Sequence, residues 1–180
     1  MKDHPVVGLL ESLMSIVSTT ELEYDIGLWL EAYLQKLGYT VERIPIREGS
    51  SRHNIFAYLG RTRENRLLIT AHIDTVPPHI PFRRDGDVIW GRGSSDDLGP
   101  LAAQIIAVEE LRKEGKLSPE GDFSFLFVVG EENGGPGMIA ANDMNLSWEA
   151  CIFAEPTESK LAKGHKGQVA FTLTAGGVAW

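Results

Sequence analysis

The sequence predicts an α/β fold in which a mixed, mostly parallel sheet carries helices on both faces. Segments with helical spacing of apolar residues alternate with short strand-like segments, broadly in the order βαβαβ after a helical start. Several strand-like segments are almost entirely apolar, which is typical of strands covered on both faces. The chain has 180 residues, 43% of them hydrophobic, so it is also long enough to bury a substantial core.

The first half of the chain is predicted to form two helices followed by three strands. The first helix spans residues 5–17, where Pro5 suits an initial helical turn. The second spans residues 21–37, where Gly38 ends the helical pattern. The strands are expected within residues 39–46, 54–60 and 66–73.

The second half begins with a tight turn and then continues the alternation. Asp85 and Gly86 lie between two extended stretches and favour a hairpin turn. Pro100 is expected to open a helix that runs to Leu111. The remaining expected elements are a strand at 123–130, a short helix at 135–144, and strands at 149–155 and 167–180.

Charge balance and cysteine content exclude several kinds of site. With 25 acidic and 17 basic residues, the net charge is -8. This argues against a nucleic-acid partner, because phosphate binding needs a concentrated basic surface. A lone cysteine excludes an internal disulfide and a cysteine-based zinc cluster. That residue, Cys151, lies in an apolar segment and is predicted to be a buried thiol in a strand.

The first residues carry no recognisable targeting signal. The segment MKDHPVVGLLESLMSIV has one Lys, an early Asp and no uninterrupted apolar stretch. Neither a secretory signal nor a membrane span is therefore predicted. We expect a cytoplasmic location by default and no membrane partner.

Acidic and imidazole side chains occur where predicted strands give way to loops. One His together with several carboxylates at strand ends is the donor set of a hydrolytic metal site. The sequence therefore predicts a metal-dependent hydrolytic centre. Its six candidate residues are His72, Asp74, Asp96, Glu131, Glu132 and Glu155.

His72 and Asp74 are separated by one residue in an extended segment. Residues i and i+2 of a strand point to the same side, with Cα atoms roughly 6 to 7 Å apart. Asp74 can therefore reach the ring of His72 and fix its tautomer beside a metal. For an isolated pair of this kind, a hydrogen-bonded surface His is the alternative. The other four carboxylates favour the metal site.

Asp96 follows a glycine-rich bend that can bring its carboxylate to a strand tip. The competing interpretation is a nucleotide-binding loop, because Gly91 and Gly93 form the first half of a G-x-G-x-x-G pattern. Asp96 replaces the third glycine, however, and Asp97 adds a second negative charge. Repulsion of a pyrophosphate makes this interpretation poor.

Glu131 and Glu132 follow an apolar strand, and an extended backbone would send them in opposite directions. One could then bind a cation while the other accepts a proton. A solvated acidic turn is the alternative for this pair. Glu155 ends a further predicted strand, and Pro156 prevents that strand from continuing regularly. Of the remaining histidines, His165 is interpreted as a loop or substrate-side residue.

Four ordered motifs, AHIDTVPP, GRGSSDDLGP, GEENGGPGM and AEPT, resemble those of the co-catalytic zinc peptidases. This family includes acetylornithine deacetylase, succinyl-diaminopimelate desuccinylase, aminoacylase and glutamate carboxypeptidase. The resemblance covers residues 5–180, and within the family it is to the fungal carboxypeptidase-like branch, which includes secreted members. Four motifs in a fixed order are far more specific than any one of them.

The resemblance implies a site for one or two Zn²⁺ ions, with Co²⁺ or Mn²⁺ as alternatives. Asp96 would be the carboxylate that bridges two metals. His72 and Glu155 would complete one metal, and Glu132 would contribute to the other. Because the second metal has fewer ligands in this chain, we expect one ion to bind better than two. The resemblance also implies a cis peptide bond between Asp96 and Asp97.

The resemblance further implies hydrolysis of an amide bond by a metal-bridging hydroxide. Glu131 would be the general base, and Asp74 would orient the imidazole ligand. The expected substrates are small peptides or N-acyl amino acids, as for a carboxypeptidase or a deacylase. One departure is Leu98, which stands where the family commonly has Lys.

Members of the family run to roughly twice this length, with a lid or dimerisation domain inserted after the equivalent of this region. We therefore expect residues 1–180 to be the N-terminal part of the catalytic domain. The lid and the C-terminal part, which supply an oxyanion-stabilising His and a further metal ligand, are expected to be absent. The alternative function is accordingly a catalytically inert metal-binding fragment of such an enzyme.

Overall fold

The computed structural model of the chain describes residues 4–118, 120–163, 167, 169 and 171–177. Both predicted N-terminal helices are present, as α1 (Pro5–Met14) and α2 (Tyr24–Lys36). The ring of His4 accepts a hydrogen bond from the Val6 amide and caps α1. Gly38 ends the second helical segment with φ +93°, a conformation that glycine adopts without steric cost.

Five strands form the central sheet: β1 (Thr40–Pro45), β2 (His53–Tyr58), β3 (Leu67–His72), β6 (Phe123–Val128) and β7 (Ala150–Phe153). Their order across the sheet is β1-β2-β6-β3-β7. The first two pairings, β1 with β2 and β2 with β6, are antiparallel, whereas β6 with β3 and β3 with β7 are parallel. This mixed sheet confirms the predicted fold class.

The predicted hairpin at Asp85 and Gly86 forms a separate two-stranded sheet. It pairs β4 (Arg83–Asp85) with β5 (Val88–Trp90) in antiparallel orientation. Helix α3 (Leu98–Lys113) starts two residues before Pro100, the expected first residue. Proline is tolerated there because the first turn of a helix has no internal partners for its amide groups. The short helix α4 (Pro136–Asn142) is present as predicted.

Apolar side chains cover both faces of the sheet. Because successive residues of a strand point to opposite faces, Phe125 and Phe127 of β6 pack under α1, α2 and α3, while Leu126 and Val128 join a smaller cluster near α4. The helices on both faces agree with the prediction. Strands β2 and β6 are buried along their whole length, as expected for strands covered on both sides.

The C-terminal part departs from the sequence-based expectations. Every residue of β7 is exposed, so Cys151 is not a buried thiol. Among the described residues, β7 pairs only with β3, which leaves its other edge uncovered. Residues 171–177 form neither helix nor strand; no described strand pairs with them, and a strand pattern needs such a partner for its backbone hydrogen bonds. The rest of the predicted strand at 167–180, apart from 167 and 169, lies outside the described residues, as does His165.

Among the helices that the structure describes, none combines the length and the apolar character that crossing a membrane requires.

Candidate metal centre

The candidate residues meet at one edge of the sheet because β6, β3 and β7 are parallel. The carboxyl ends of parallel strands lie at the same edge, where ligands of α/β sheets commonly bind. His72 is the last residue of β3. Glu131 and Glu132 follow β6, and Glu155 follows β7. Helix α3 begins at the same edge, immediately after Asp96 and Asp97.

The imidazole of His72 is buried and has partners on both ring nitrogens. Its Nδ1 lies 2.8 Å from the main-chain oxygen of Asp74 and 3.5 Å from Oδ1 of the same residue. Its Nε2 lies 2.8 Å from Oδ1 of Asp96 and 3.9 Å from Oε1 of Glu155. With the Nδ1 proton donated to the Asp74 carbonyl, the Nε2 nitrogen faces the carboxylates.

Surrounding carboxylates control the ionisation of His72. Burial disfavours the charged ring, but Asp74, Asp97 and Asp96 more than offset this effect and raise the pKa of His72 to about 10. The ring is therefore protonated at neutral pH in the metal-free chain. A cation that binds the Nε2 nitrogen must displace this proton.

Asp74 is fully buried and connects His72 to the turn that follows β6. Its Oδ1 accepts a hydrogen bond from the Glu131 amide at 3.0 Å, and its Oδ2 accepts one from the Glu132 amide at 3.3 Å. The hydroxyl of Thr20 donates to Oδ2 at 2.9 Å. Burial alone would raise the pKa of Asp74, but the hydrogen bonds from His72, Thr20 and Glu131 hold it below its usual value.

Asp96 and Asp97 are joined by a cis peptide bond, as the resemblance implied. Asp97 is fully buried, and its Oδ2 accepts a hydrogen bond from the main-chain amide of His72 at 3.1 Å. Its Oδ1 has no hydrogen-bond partner in the described parts of the chain. Burial and the charges of Glu155 and Asp96 raise the pKa of Asp97 to about 7, against the opposing effect of His72.

Glu131 and Glu132 lie in a turn rather than in the extended segment that the sequence suggested. Gly130, with φ +69°, bends the chain two residues after β6, and both glutamates then present their amides to Asp74. Glu131 is exposed, whereas Glu132 is half-buried. Burial and the charge of Asp96 raise the pKa of Glu132. The carboxylates of Glu131 and Glu132 therefore differ in environment, as expected. The difference arises in a turn, however, and not from the alternation of side chains along a strand.

Among the residues that the structure describes, two groups of side chains have donor atoms close enough to hold a cation. One contains His72, Asp96 and Glu132, and the other contains His72, Asp97 and Glu155; within each group the donor atoms lie within 4.8 Å of one another. Nitrogen and carboxylate oxygen donors suit Zn²⁺, Co²⁺ and Mn²⁺. The four predicted ligands thus occur in these groups, while Glu131 belongs to neither.

The sequence did not identify Asp97 and Thr20 as site residues. The sequence marks Asp97 only by its charge and by the implied cis bond, and the structure places its carboxylate with His72 and Glu155. Its position next to Asp96 was the one available signal. Thr20 contacts Asp74 across 54 positions of the chain, and no local pattern marks such a contact.

Comparison with known proteins identifies the family. Residues 68–175, more than half of the chain, match the model of peptidase family M20/M25/M40. The chain belongs to this family. The resemblance carried by the four motifs is thereby confirmed.

The M20 chain is similar to curated fungal proteins. It is 46% identical over 176 residues to a peptidase M20 domain-containing protein of Schizosaccharomyces pombe, with 97% of this chain and 44% of that protein covered. It is 38% identical over 188 residues to a probable carboxypeptidase of Aspergillus clavatus, with 96% and 44% covered. The M20 chain therefore spans less than half the length of these two relatives.

A solved structure shares the fold. The crystal structure of a tripeptidase from Staphylococcus aureus superposes with a TM-score of 0.70 at 25% identity, covering 84% of this chain and 43% of the other. The sheet and helices of the M20 chain thus match part of a known peptidase.

Proposed function

We propose that this chain supplies the metal-binding edge of a metal-dependent hydrolase that cleaves amide bonds, of the carboxypeptidase or N-acyl amino acid deacylase type. The observation that carries the proposal is the convergence of His72, Asp96 and Glu132 within 4.8 Å at the carboxyl edge of the parallel strands. Membership of a peptidase family supports the reaction class.

The proposed ligands are His72, Asp96, Glu132 and Glu155. When bound, Zn²⁺, or Co²⁺ or Mn²⁺ in its place, would act as a Lewis acid and lower the pKa of water. Both groups contain His72, whose Nδ1 is bonded to Asp74, so only Nε2 is left for a metal. Since one nitrogen serves both groups, we expect one ion per chain to bind more tightly than a second.

Asp74 is proposed to orient His72, and Glu131 is proposed as the general base. The exposed carboxylate of Glu131 would accept a proton from the water that attacks the amide carbon. It would then pass that proton to the leaving nitrogen as the carbon–nitrogen bond breaks. The amide of Glu131 is held by Asp74, which fixes the backbone position of this residue beside the ligands.

The proposed substrates are small peptides or N-acyl amino acids. This class is supported by relatives named as a probable carboxypeptidase and as a tripeptidase. We also propose that the chain corresponds to the N-terminal part of the catalytic domain, since it covers 44% of the two fungal relatives. The inert metal-binding fragment is the alternative.

One experiment separates these functions. The purified chain is loaded with Zn²⁺ or Co²⁺ and assayed on a dipeptide and on an N-acetyl amino acid, beside the variant Glu131→Gln and the control Glu11→Gln on the exposed side of α1. We expect turnover that Glu131→Gln abolishes while the metal stays bound, and that the control retains. Metal binding without turnover by the unaltered chain would favour the inert fragment. Failure to bind metal would contradict the site itself.

A further inference from the structure

We propose that Asn54 is a positioning residue that fixes the turn carrying Glu131 and Glu132. Asn54 lies in β2, is fully buried and belongs to neither group of candidate ligands. The proposal rests on the function proposed above only for what the two glutamates do. The mechanical role of Asn54 follows from its own contacts.

The amide side chain of Asn54 bridges the two ends of this turn. Its Oδ1 accepts a hydrogen bond from the Val129 amide at 3.1 Å, and its Nδ2 donates to the main-chain oxygen of Gly137 at 2.7 Å. Val129 directly follows β6, and Gly137 lies in the first turn of α4. Residues 130–136 are thus closed at their base by one side chain from a neighbouring strand.

Close backbone packing completes this closure. The Gly137 amide donates to the Val129 oxygen at 3.1 Å. A Cβ atom at Gly137 would lie 2.4 Å from that oxygen and 2.6 Å from Oδ1 of Asn54, so a glycine is needed for the two chain segments to approach. Buried backbone groups require such partners, because each unpaired one costs free energy.

The same turn is held at its other side by Asp74, which accepts the amides of Glu131 and Glu132. Asn54 and Asp74 therefore fix the turn at its ends and at its middle. An amide side chain suits the first task because it offers a donor and an acceptor together. Alanine offers neither, and a carboxylate of the same shape keeps only the acceptor.

The inference can be tested with Asn54→Ala and with Asn54→Asp, which is nearly isosteric should the alanine variant fail to fold. Ser124→Ala is the matched control. Ser124 is buried in β6 and accepts a hydrogen bond from Trp148, so its loss weakens the fold at the other end of the strand. Two quantities are measured in each folded variant: amide exchange of Glu131 and Glu132 relative to the buried Leu30 of α2, and affinity for Co²⁺ alone.

In both Asn54 variants we expect exchange of the two glutamate amides to accelerate by about tenfold or more relative to Leu30. Co²⁺ affinity should fall by about tenfold, as for other residues that orient metal ligands. Ser124→Ala should leave both quantities unchanged. Unaltered relative exchange in a folded Asn54 variant would overturn the proposal. If the unaltered chain binds no Co²⁺, the proposed function fails, and the exchange comparison still decides the role of Asn54.

Discussion

Strands β6 and β7 both pair with β3, one on each side, but they lie in different surroundings. Both run parallel to β3, and both are followed by glutamates of the candidate site. β6 pairs on both edges and is buried throughout, whereas β7 is exposed throughout and pairs only with β3 among the described residues. Parallel pairing thus delivers a carboxylate to the correct edge, but burial and loop contacts decide how firmly that carboxylate is held.

The glutamates reflect this difference. Glu132 is half-buried, and its amide is bonded to Asp74 in a turn closed by Asn54. The side chain of Glu155 is 48% exposed, and its Oε1 lies 3.9 Å from Nε2 of His72. Of the two glutamates, Glu132 is therefore the more enclosed.

The largest expected effect concerns the two strands themselves. Phe125 of β6 is fully buried and packs against Phe127 and Tyr39, so Phe125→Ala should lower the free energy of unfolding by about 3–5 kcal/mol. Phe153 of β7 is 60% exposed, and Phe153→Ala should change it by less than about 0.5 kcal/mol. Urea denaturation measures both. Equal losses of unfolding free energy in the two variants would show that β6 and β7 do not differ in their contribution to stability.

The second effect concerns metal affinity. Glu132→Gln and Glu155→Gln should each weaken Co²⁺ binding by about tenfold or more, on the scale of changes around metal sites. Glu132→Gln should have the larger effect, because the carboxylate of Glu132 is less exposed than that of Glu155 and charge interactions are weaker where solvent screens them. Titration of each variant with Co²⁺ tests this order. A larger loss for Glu155→Gln would show that the edge strand holds its ligand as firmly as the central one.

The third effect is a dependence of metal binding on pH. It involves both candidate groups, because Asp96 from one and Asp97 from the other raise the pKa of His72. The folded chain raises the pKa of His72 from 6.5 to about 10, so a proton competes with the metal below that pH. Apparent Co²⁺ affinity should therefore rise by about tenfold per pH unit between pH 7 and pH 8. Glu11→Gln should show the same slope, and a flat profile would show that no proton on Nε2 of His72 competes with the metal in this pH range.

The pKa shift of His72 also predicts the stability of the metal-free chain. Because the folded-state pKa lies above the usual value, the protonated ring stabilises the fold fully below pH 6.5. This contribution is lost as the pH rises toward about 10. We therefore expect the metal-free chain to be less stable at pH 9 than at pH 6. Urea denaturation at these two pH values measures the difference.

The smallest expected effect is at the opposite ends of β3 and β7. Arg66 and Glu149 form a paired contact there, with both nitrogen–oxygen distances at 3.0 Å, but their side chains are 70% and 65% exposed. Exposed ion pairs contribute little, since solvent and salt screen them. Arg66→Ala should leave the urea midpoint unchanged. A clear shift would mean that this surface pair anchors the edge strand.

Periodic patterns in the sequence predicted most of the fold. The apolar run before His72 and the run that contains Phe125 identified buried strands, and Gly38 and the Asp85–Gly86 pair marked where elements end. These signals are local, since each follows from which residues face a core or permit a turn. The strand with Cys151 showed the limit, because local apolarity cannot reveal whether other elements will cover the faces of an edge strand.

The sequence predicted the residue types of the candidate site better than it predicted the residues that hold them in place. Carboxylates after strands could be found by inspection, because strand ends are where such sites form. Asn54 could not, since its two contacts lie 75 and 83 positions away. The sequence pattern also did not predict the turn at Glu131. Gly130 bends the chain there, so the alternation of side chains along the strand does not extend to the glutamates.

One consequence of the His72 geometry is spectroscopic. The main-chain amide of this residue bonds to Asp97, its Nδ1 to Asp74, and its Nε2 to Asp96. A single histidine labelled with ¹⁵N would therefore give three resonances, each adjacent to a different aspartate. Following these resonances during a pH or metal titration would separate events at the Asp97 carboxylate, the Asp74 main-chain oxygen and the Asp96 carboxylate without altering any of them.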